Sequence, residues 1–236
     1  MKKLKINGPI IPNDYQEIYD WFDMEATSPA KVSSFLDANS GKDIEISINS
    51  GGGDVHSGSD IYTAIREHDG NVTVKVTGIA ASAASVIAMA GDRVLMSPTA
   101  EMMIHNASMI AWGDDRTMSH AADILSTTNK VVANAYILKT GKAQDDLLEM
   151  MKKETWMSAQ EAKKQGFIDE VMFDTNNQLI ASSSKHLNML PPEVIEKFKN
   201  DKQQNKPDPK KDEAILMQKK RAIARTNTIK LGGIKS

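Results

Sequence analysis

The 236-residue chain contains no cysteine. That excludes disulfides, a thiol nucleophile and zinc–thiolate sites, and it fits a reducing compartment. Long apolar runs are missing too. The longest, residues 78–91, is rich in Ala and Ser and falls short of the roughly 20 residues that cross a bilayer. The opening MKKLKINGPI has lysines but not the apolar core of a signal peptide. A glycine loop occurs at residues 51–53, yet the G-K-[ST] continuation of a phosphate-binding loop is absent, which argues against nucleotide binding. There is no internal repeat. These absences lead us to expect a soluble, cytoplasmic protein with no membrane partner, no metal and no cofactor.

The chain is 40% hydrophobic and 25% charged, as globular proteins are. Its net charge of −2 hides an uneven distribution: residues 185–236 hold 13 Lys/Arg against 6 Asp/Glu, and the rest holds 16 against 25. The molecule reads as an acidic body with a basic tail. From residue 181 a serine run, Pro191-Pro192 and the polar stretch 199–212 read as linker, with a short basic helix candidate at 213–225. We therefore divide the chain into a body, 1–180, and a polar, basic tail, 181–236.

Within the body, patterning predicts strands over 2–11, 41–50, 71–77, 93–96, 101–105 and 169–173. Helices are predicted from Pro29 with Ser28 as N-cap, over 54–67, 118–140 and 143–153, and after a Ser158/Glu161 capping box. Strand and helix alternate, so an α/β fold with a mostly parallel sheet is expected. In such sheets functional groups gather at the C-terminal ends of strands. The glycine loop, Ser82 and His105 lie at such ends.

Residues 76–91, VTGIAASAASVIAMAG, read as a strand that turns at Gly78 into a helix of small residues. A serine at a buried helix N-terminus meets free N–H groups that stabilise developing negative charge. Ser82 and Ser85 both qualify. His105 ends the apolar strand MMI, and His56 follows the glycine loop; His68, His120 and His186 lie in polar surroundings. A neutral imidazole beside a serine is what general-base activation requires, with a carboxylate to fix its tautomer. Gly52 and Gly53 allow backbone N–H groups to approach a substrate carbonyl closely. Composition does not select the carboxylate among 31 Asp and Glu residues.

Four segments taken together, INSGGGDVHSG, GIAAS, MMIH and ETWMSAQEAKKQGFIDEV, resemble the ClpP-like serine peptidases, peptidase family S14. ETWMSA resembles in particular the phage and prophage branch, the head maturation proteases. The resemblance spans roughly residues 40–173 and implies a ClpP/crotonase-like fold of repeated ββα units with a protruding helical handle. It implies Ser82 as nucleophile, His105 as general base and Glu154 as the third member, with Gly53 and Ala83 amides as the oxyanion hole. Gly52, Asp54, Asn106 and Ala107 then fall where an extended substrate would bind. Gly53 and Ser82 are 29 residues apart, and His105 and Glu154 are 49 apart. Four positions differ from the housekeeping subunit: Gly51 replaces a proline, Asn106-Ala107 replaces Gln-Pro, and Glu154 replaces an aspartate.

The expected activity is serine endopeptidase hydrolysis of protein substrates, ATP-independent or partner-assisted, during phage head maturation. The alternative is a housekeeping ATP-dependent proteolytic subunit working with a AAA+ unfoldase. A crotonase-type acyl-CoA enzyme and a non-catalytic assembly protein are further alternatives. The resemblance also implies a homo-oligomer, a heptameric ring or stacked rings, with the helix near 118–140 between rings. The basic tail is expected to meet a capsid or scaffold protein.

Overall fold

The computed structural model describes residues 1–174; the tail lies outside them. Seven strands form one sheet. The strands β1 (Lys2–Asn7), β2 (Ile44–Ser50), β3 (Val72–Ala81), β4 (Arg93–Met96) and β7 (Glu170–Val171) follow one another in that order, all parallel. β5 (Glu101–Ile104) pairs parallel with β3, and β6 (Thr155–Ser158) pairs antiparallel with β5. The helices are α1 (Gln16–Trp21), α2 (Pro29–Asp37), α3 (Val55–Arg66), α4 (Ala83–Ala88), α5 (Asp115–Thr140), α6 (Gln144–Lys152) and α7 (Ala159–Lys164). This is the α/β architecture with a mostly parallel sheet expected from the sequence.

Alternation decides which face of the sheet is core. Ile44, Ile46 and Ile48 on β2 and Val72, Val74 and Val76 on β3 are buried, and they pack in one cluster with Val32, Ile61, Ile65 and Ile87. The intervening residues Glu45, Ser47, Thr73 and Lys75 keep partial exposure. On that face Glu45 lies between two lysines, 2.6 Å from Lys75 and 3.1 Å from Lys3.

β3 is the long strand, and it serves two neighbours in succession. Residues Thr73–Val76 pair with β4 and Ile79–Ala81 pair with β5. After β4 the chain turns through Ser97 and rejoins the same edge of β3 one step further on. The expected turn at Gly78 is therefore not there; the strand continues to Ala81. Its register against β2 shifts between Ile48 and Ser50. At that irregularity the Asn49 side chain accepts from the Ile79 N–H at 3.2 Å, so the backbone donor stays paired and the strand goes on.

Other boundaries differ for equally local reasons. β1 stops at Asn7, and Ile10 instead makes single bridges to Thr27 and Gly53. Ser28 occupies the N-cap position of α2, but its buried hydroxyl has no partner among the described residues; Asn13 caps instead, accepting from the Ala30 N–H at 2.8 Å. Only half of the capping box before α7 forms. Ser158 accepts from the Glu161 N–H, while the Glu161 carboxylate bonds Gln165. α5 begins three residues earlier than expected because Asp114 caps it. Its 26 residues extend about 39 Å, and its buried residues Ala133, Ala135 and Tyr136 all lie in the C-terminal part. No helix among the described residues is long and apolar enough to cross a membrane.

Two outcomes follow from this packing. Ile46→Ala, at a fully buried position, is expected to destabilise the fold by about 2–5 kcal/mol, read from the denaturant midpoint at fixed protein concentration. The Lys75 ammonium, with help from Lys3 and against the effect of burial, holds the Glu45 carboxyl below its ordinary 4.5. A depressed folded-state value contributes stability above the unfolded value, lost as pH falls through the folded one. Glu45→Gln should accordingly be less stable at pH 7 and show a shallower loss of stability below pH 4.5, measured by unfolding across a pH series.

Candidate active site

β3 and β5 run side by side with Ala81 opposite Met103. The residues just beyond each strand end thus meet at one corner. The Ser82 N–H extends the ladder by one bond, to the Met103 carbonyl at 3.0 Å. Ser82 then takes φ 55° and ψ −127°, and α4 begins at Ala83. Few L-residues adopt that conformation unless their surroundings hold it. The result is a side chain aimed out of the sheet, and the Ser82 Oγ lies 2.8 Å from His105 Nε2. His105 has come one residue beyond Ile104, the last residue of β5.

The glycine loop lies against this corner. A Cβ on Gly52 would stand 2.6 Å from the Ala81 carbonyl oxygen, 2.7 Å from Ser82 Cβ and 2.9 Å from the Ala83 nitrogen, and the backbone there has φ +93°. Only glycine fits. Ser50 Oγ accepts from the Gly52 N–H at 3.1 Å. Next to it, Ile10 donates to the Gly52 carbonyl and accepts from the Asp54 N–H. In a parallel bridge of that kind the N–H of the middle residue, Gly53, points to the other edge. Ala83, as the first residue of α4, has an N–H with no acceptor inside its helix.

The remaining expected residues are placed unevenly. Glu154 stands across from His105, one step past the paired residues Ile104 and Thr155. Its backbone there is left-handed, φ 51°. Its exposed carboxylate accepts from the Trp156 indole N–H at 3.2 Å and is not hydrogen-bonded to His105. The structure thus joins Ser82 to His105 and leaves Glu154 beside them, its carboxylate bonded to Trp156. Asp54, expected near substrate, spends its carboxylate on the cap of α3, accepting from Ser57 N–H and Oγ at 2.7 Å. The Ala107 N–H is already bonded to Asn129 Oδ1 at 2.8 Å. Asn106 keeps a buried Oδ1 with no hydrogen-bond partner among the described residues. His56 is exposed on α3, and His68 bonds the Lys42 carbonyl.

A cavity of about 340 Å³, including its open mouth, borders Ser82 and His105. Val55, Ser59, Ala83, Val86, Ala107, Val132 and Tyr136 complete its lining. Tyr136 was not legible from the sequence as a site residue, since a tyrosine in an apolar helix pattern reads as core. Its buried hydroxyl needs a partner, and that partner is Ser85 at 2.8 Å. Burial also pushes the Tyr136 hydroxyl well above the ordinary phenol range, so it remains a neutral donor.

A serine hydroxyl thus stands against a histidine, beside a glycine loop and a helix start, at the end of two parallel strands. The family model described as Clp protease matches residues 23–175. The chain belongs to the Clp protease family. It is similar to the ATP-dependent Clp protease proteolytic subunit 1 of Chlamydia abortus, 33% identical over 161 residues, covering 66% of this chain and 83% of that one. The ATP-dependent Clp protease proteolytic subunit of Bacteroides fragilis is 36% identical over 141 residues, covering 58% and 68%. Among solved structures, a variant of ClpP1 from Listeria monocytogenes superposes with a TM-score of 0.60 over 72% of this chain and 91% of that one, at 24% identity.

Gly52→Ala tests the packing of the loop on the nucleophile turn. With backbone at 2.6 Å and φ +93°, the loop must move, and displacements of that order cost about 100-fold in rate. The expected result is a loss of at least that size in labelling by a fluorophosphonate.

Proposed function

We propose that the protein is a serine endopeptidase of the Clp type, with Ser82 as nucleophile and His105 as general base. The observation that carries this reading is the 2.8 Å contact between Ser82 Oγ and His105 Nε2. In the proposed reaction His105 takes the Ser82 proton as Oγ attacks the scissile carbonyl. The Gly53 and Ala83 amides receive the oxyanion. His105 returns the proton to the leaving amine, and water, deprotonated by the same imidazole, releases the acyl group. The adjoining cavity, lined by Val55, Ser59, Val86 and Val132, is where the side chain next to the cleaved bond would lie. A substrate strand would run along the Gly52–Val55 loop, with Asn106 and Ala107 on its other side; the commitment of the Ala107 N–H to Asn129 removes one donor there. Glu154 enters by a side-chain rotation that exchanges Trp156 for His105 Nδ1.

The relatives carry the name ATP-dependent Clp protease proteolytic subunit. That supports a partner-assisted enzyme served by a AAA+ unfoldase better than it supports a capsid partner. Head maturation is the second reading, and ETWMSA favours it. The tail expected to reach a capsid protein is outside the described residues. Self-association into rings would cover exposed apolar side chains such as Trp21 and Phe22 at the end of α1, Ile110 and Trp112 before α5, and Leu138 near its C-terminus.

Fluorophosphonate labelling tests the reading. Wild type is expected to label, Ser82→Ala and His105→Ala to lose labelling, and Ser85→Ala to retain a measurable rate. Glu154→Gln is expected to slow labelling by about tenfold or more if the rotated carboxylate orients His105. Labelling that persists in Ser82→Ala would sink the assignment and reopen the crotonase-type alternative. Sedimentation at micromolar concentration should show an oligomer; a monomer alone would remove the ring.

A further inference from the structure

Three hydrogen bonds converge on the Ser82 carbonyl. The N–H groups of Ser85 and Val86 donate at 2.9 and 3.3 Å, and the Ser85 hydroxyl donates at 2.6 Å. A carbonyl only accepts, so the single hydroxyl hydrogen of Ser85 is used there. The Tyr136 hydroxyl, 2.8 Å from Ser85 Oγ, must then be the donor to it. This gives a directed chain from the Tyr136 hydroxyl through the Ser85 hydroxyl to the Ser82 carbonyl. Ser85 is 0% and Tyr136 1% exposed, so water does not substitute for either partner. The Tyr136 ring is itself fixed edge-on to Phe167, centroids 5.7 Å apart.

The same helix reaches the other half of the pair. Asn129, seven residues before Tyr136 on α5, accepts from the Ala107 N–H at 2.8 Å, two residues beyond His105. Seven residues are close to two turns, so both side chains leave one face of α5. One rigid element therefore holds the nucleophile turn at one point and the segment after the base at another.

We propose that Tyr136, acting through Ser85, and Asn129 are positioning residues: they set the Ser82 backbone in its strained conformation and fix the exit of β5, and so align Oγ with Nε2. The proposal rests on the reading of Ser82 and His105 as nucleophile and base. Ordinary core packing would also satisfy these polar groups, and the two roles differ in what happens when both partners are removed. Ser85→Ala strips the carbonyl of its side-chain bond and leaves the Tyr136 hydroxyl buried and unpaired, which costs stability. Ser85→Ala with Tyr136→Phe removes the unpaired hydroxyl but does not restore the bond to Ser82.

The experiment measures kinact and KI for fluorophosphonate labelling, with Tm, in the full-length chain. Ser85→Ala should lower kinact by about ten- to a hundredfold with little change in KI, and lower Tm. The double variant should recover Tm while kinact stays low. Asn129→Leu should lower kinact by about tenfold, and Asn129→Asp, which keeps the acceptor, should hold kinact near wild type. Recovery of kinact together with Tm in the double variant would reduce Ser85 and Tyr136 to packing. A wild-type kinact in Asn129→Leu would remove Asn129. Failure of wild type to label, or undiminished labelling of Ser82→Ala, would instead overturn the nucleophile assignment and the proposal with it.

Discussion

The pairing of β5 with the last three residues of β3 is the constraint on which the site depends. A strand that continues past its first neighbour leaves an open edge, and a second strand filling it brings two C-terminal ends to one corner. The bond from the Ser82 N–H to the Met103 carbonyl is the final rung of that ladder. It fixes the backbone of Ser82 against the strand that carries His105. From there the chain has one way to leave, through a left-handed residue into α4, and that turn aims the serine at the imidazole.

Everything else at the corner accommodates this turn. Gly52 is packed against Ser82 and Ala83 so closely that no side chain can be carried there. Asp54 caps α3 and so anchors the far end of the same loop. The buried hydroxyls of Ser85 and Tyr136 complete the bonding of the Ser82 carbonyl. A strained residue persists when its environment over-determines it, and here backbone, helix and side chains all bear on one peptide unit. Glu154 lacks such constraint. It follows α6 in a left-handed conformation just before β6 begins, and its exposed carboxylate accepts from the Trp156 indole.

Much of this was legible in the sequence. Alternation gave β2 and β3 and their buried faces, since a strand with one face in the core must repeat every second residue. The long apolar pattern and Gly141 delimited α5 at its C-terminal end. The glycine loop, Ser82 and His105 were marked by their positions at strand ends. Gly78 signals a turn in the sequence, yet β3 continues to Ala81 because Asn49, a side chain of the neighbouring strand, keeps its edge paired. Ser28 was read as a cap from its position alone, while the capping oxygen comes from Asn13, fifteen residues upstream. Such partners are set by where other segments lie, and local pattern carries no record of them.

The sequence by itself determined the alternating core, the glycines that the loop requires and the residue types able to perform acyl transfer, because these depend on side-chain size, periodicity and chemistry. Only the tertiary structure decided which of those groups meet. It joined Ser82 to His105, turned Glu154 toward Trp156, and linked Ser85 to a tyrosine 51 positions away. Hydrogen bonds act over about 3 Å, and distances on that scale are set by the register of strands and the seating of helices.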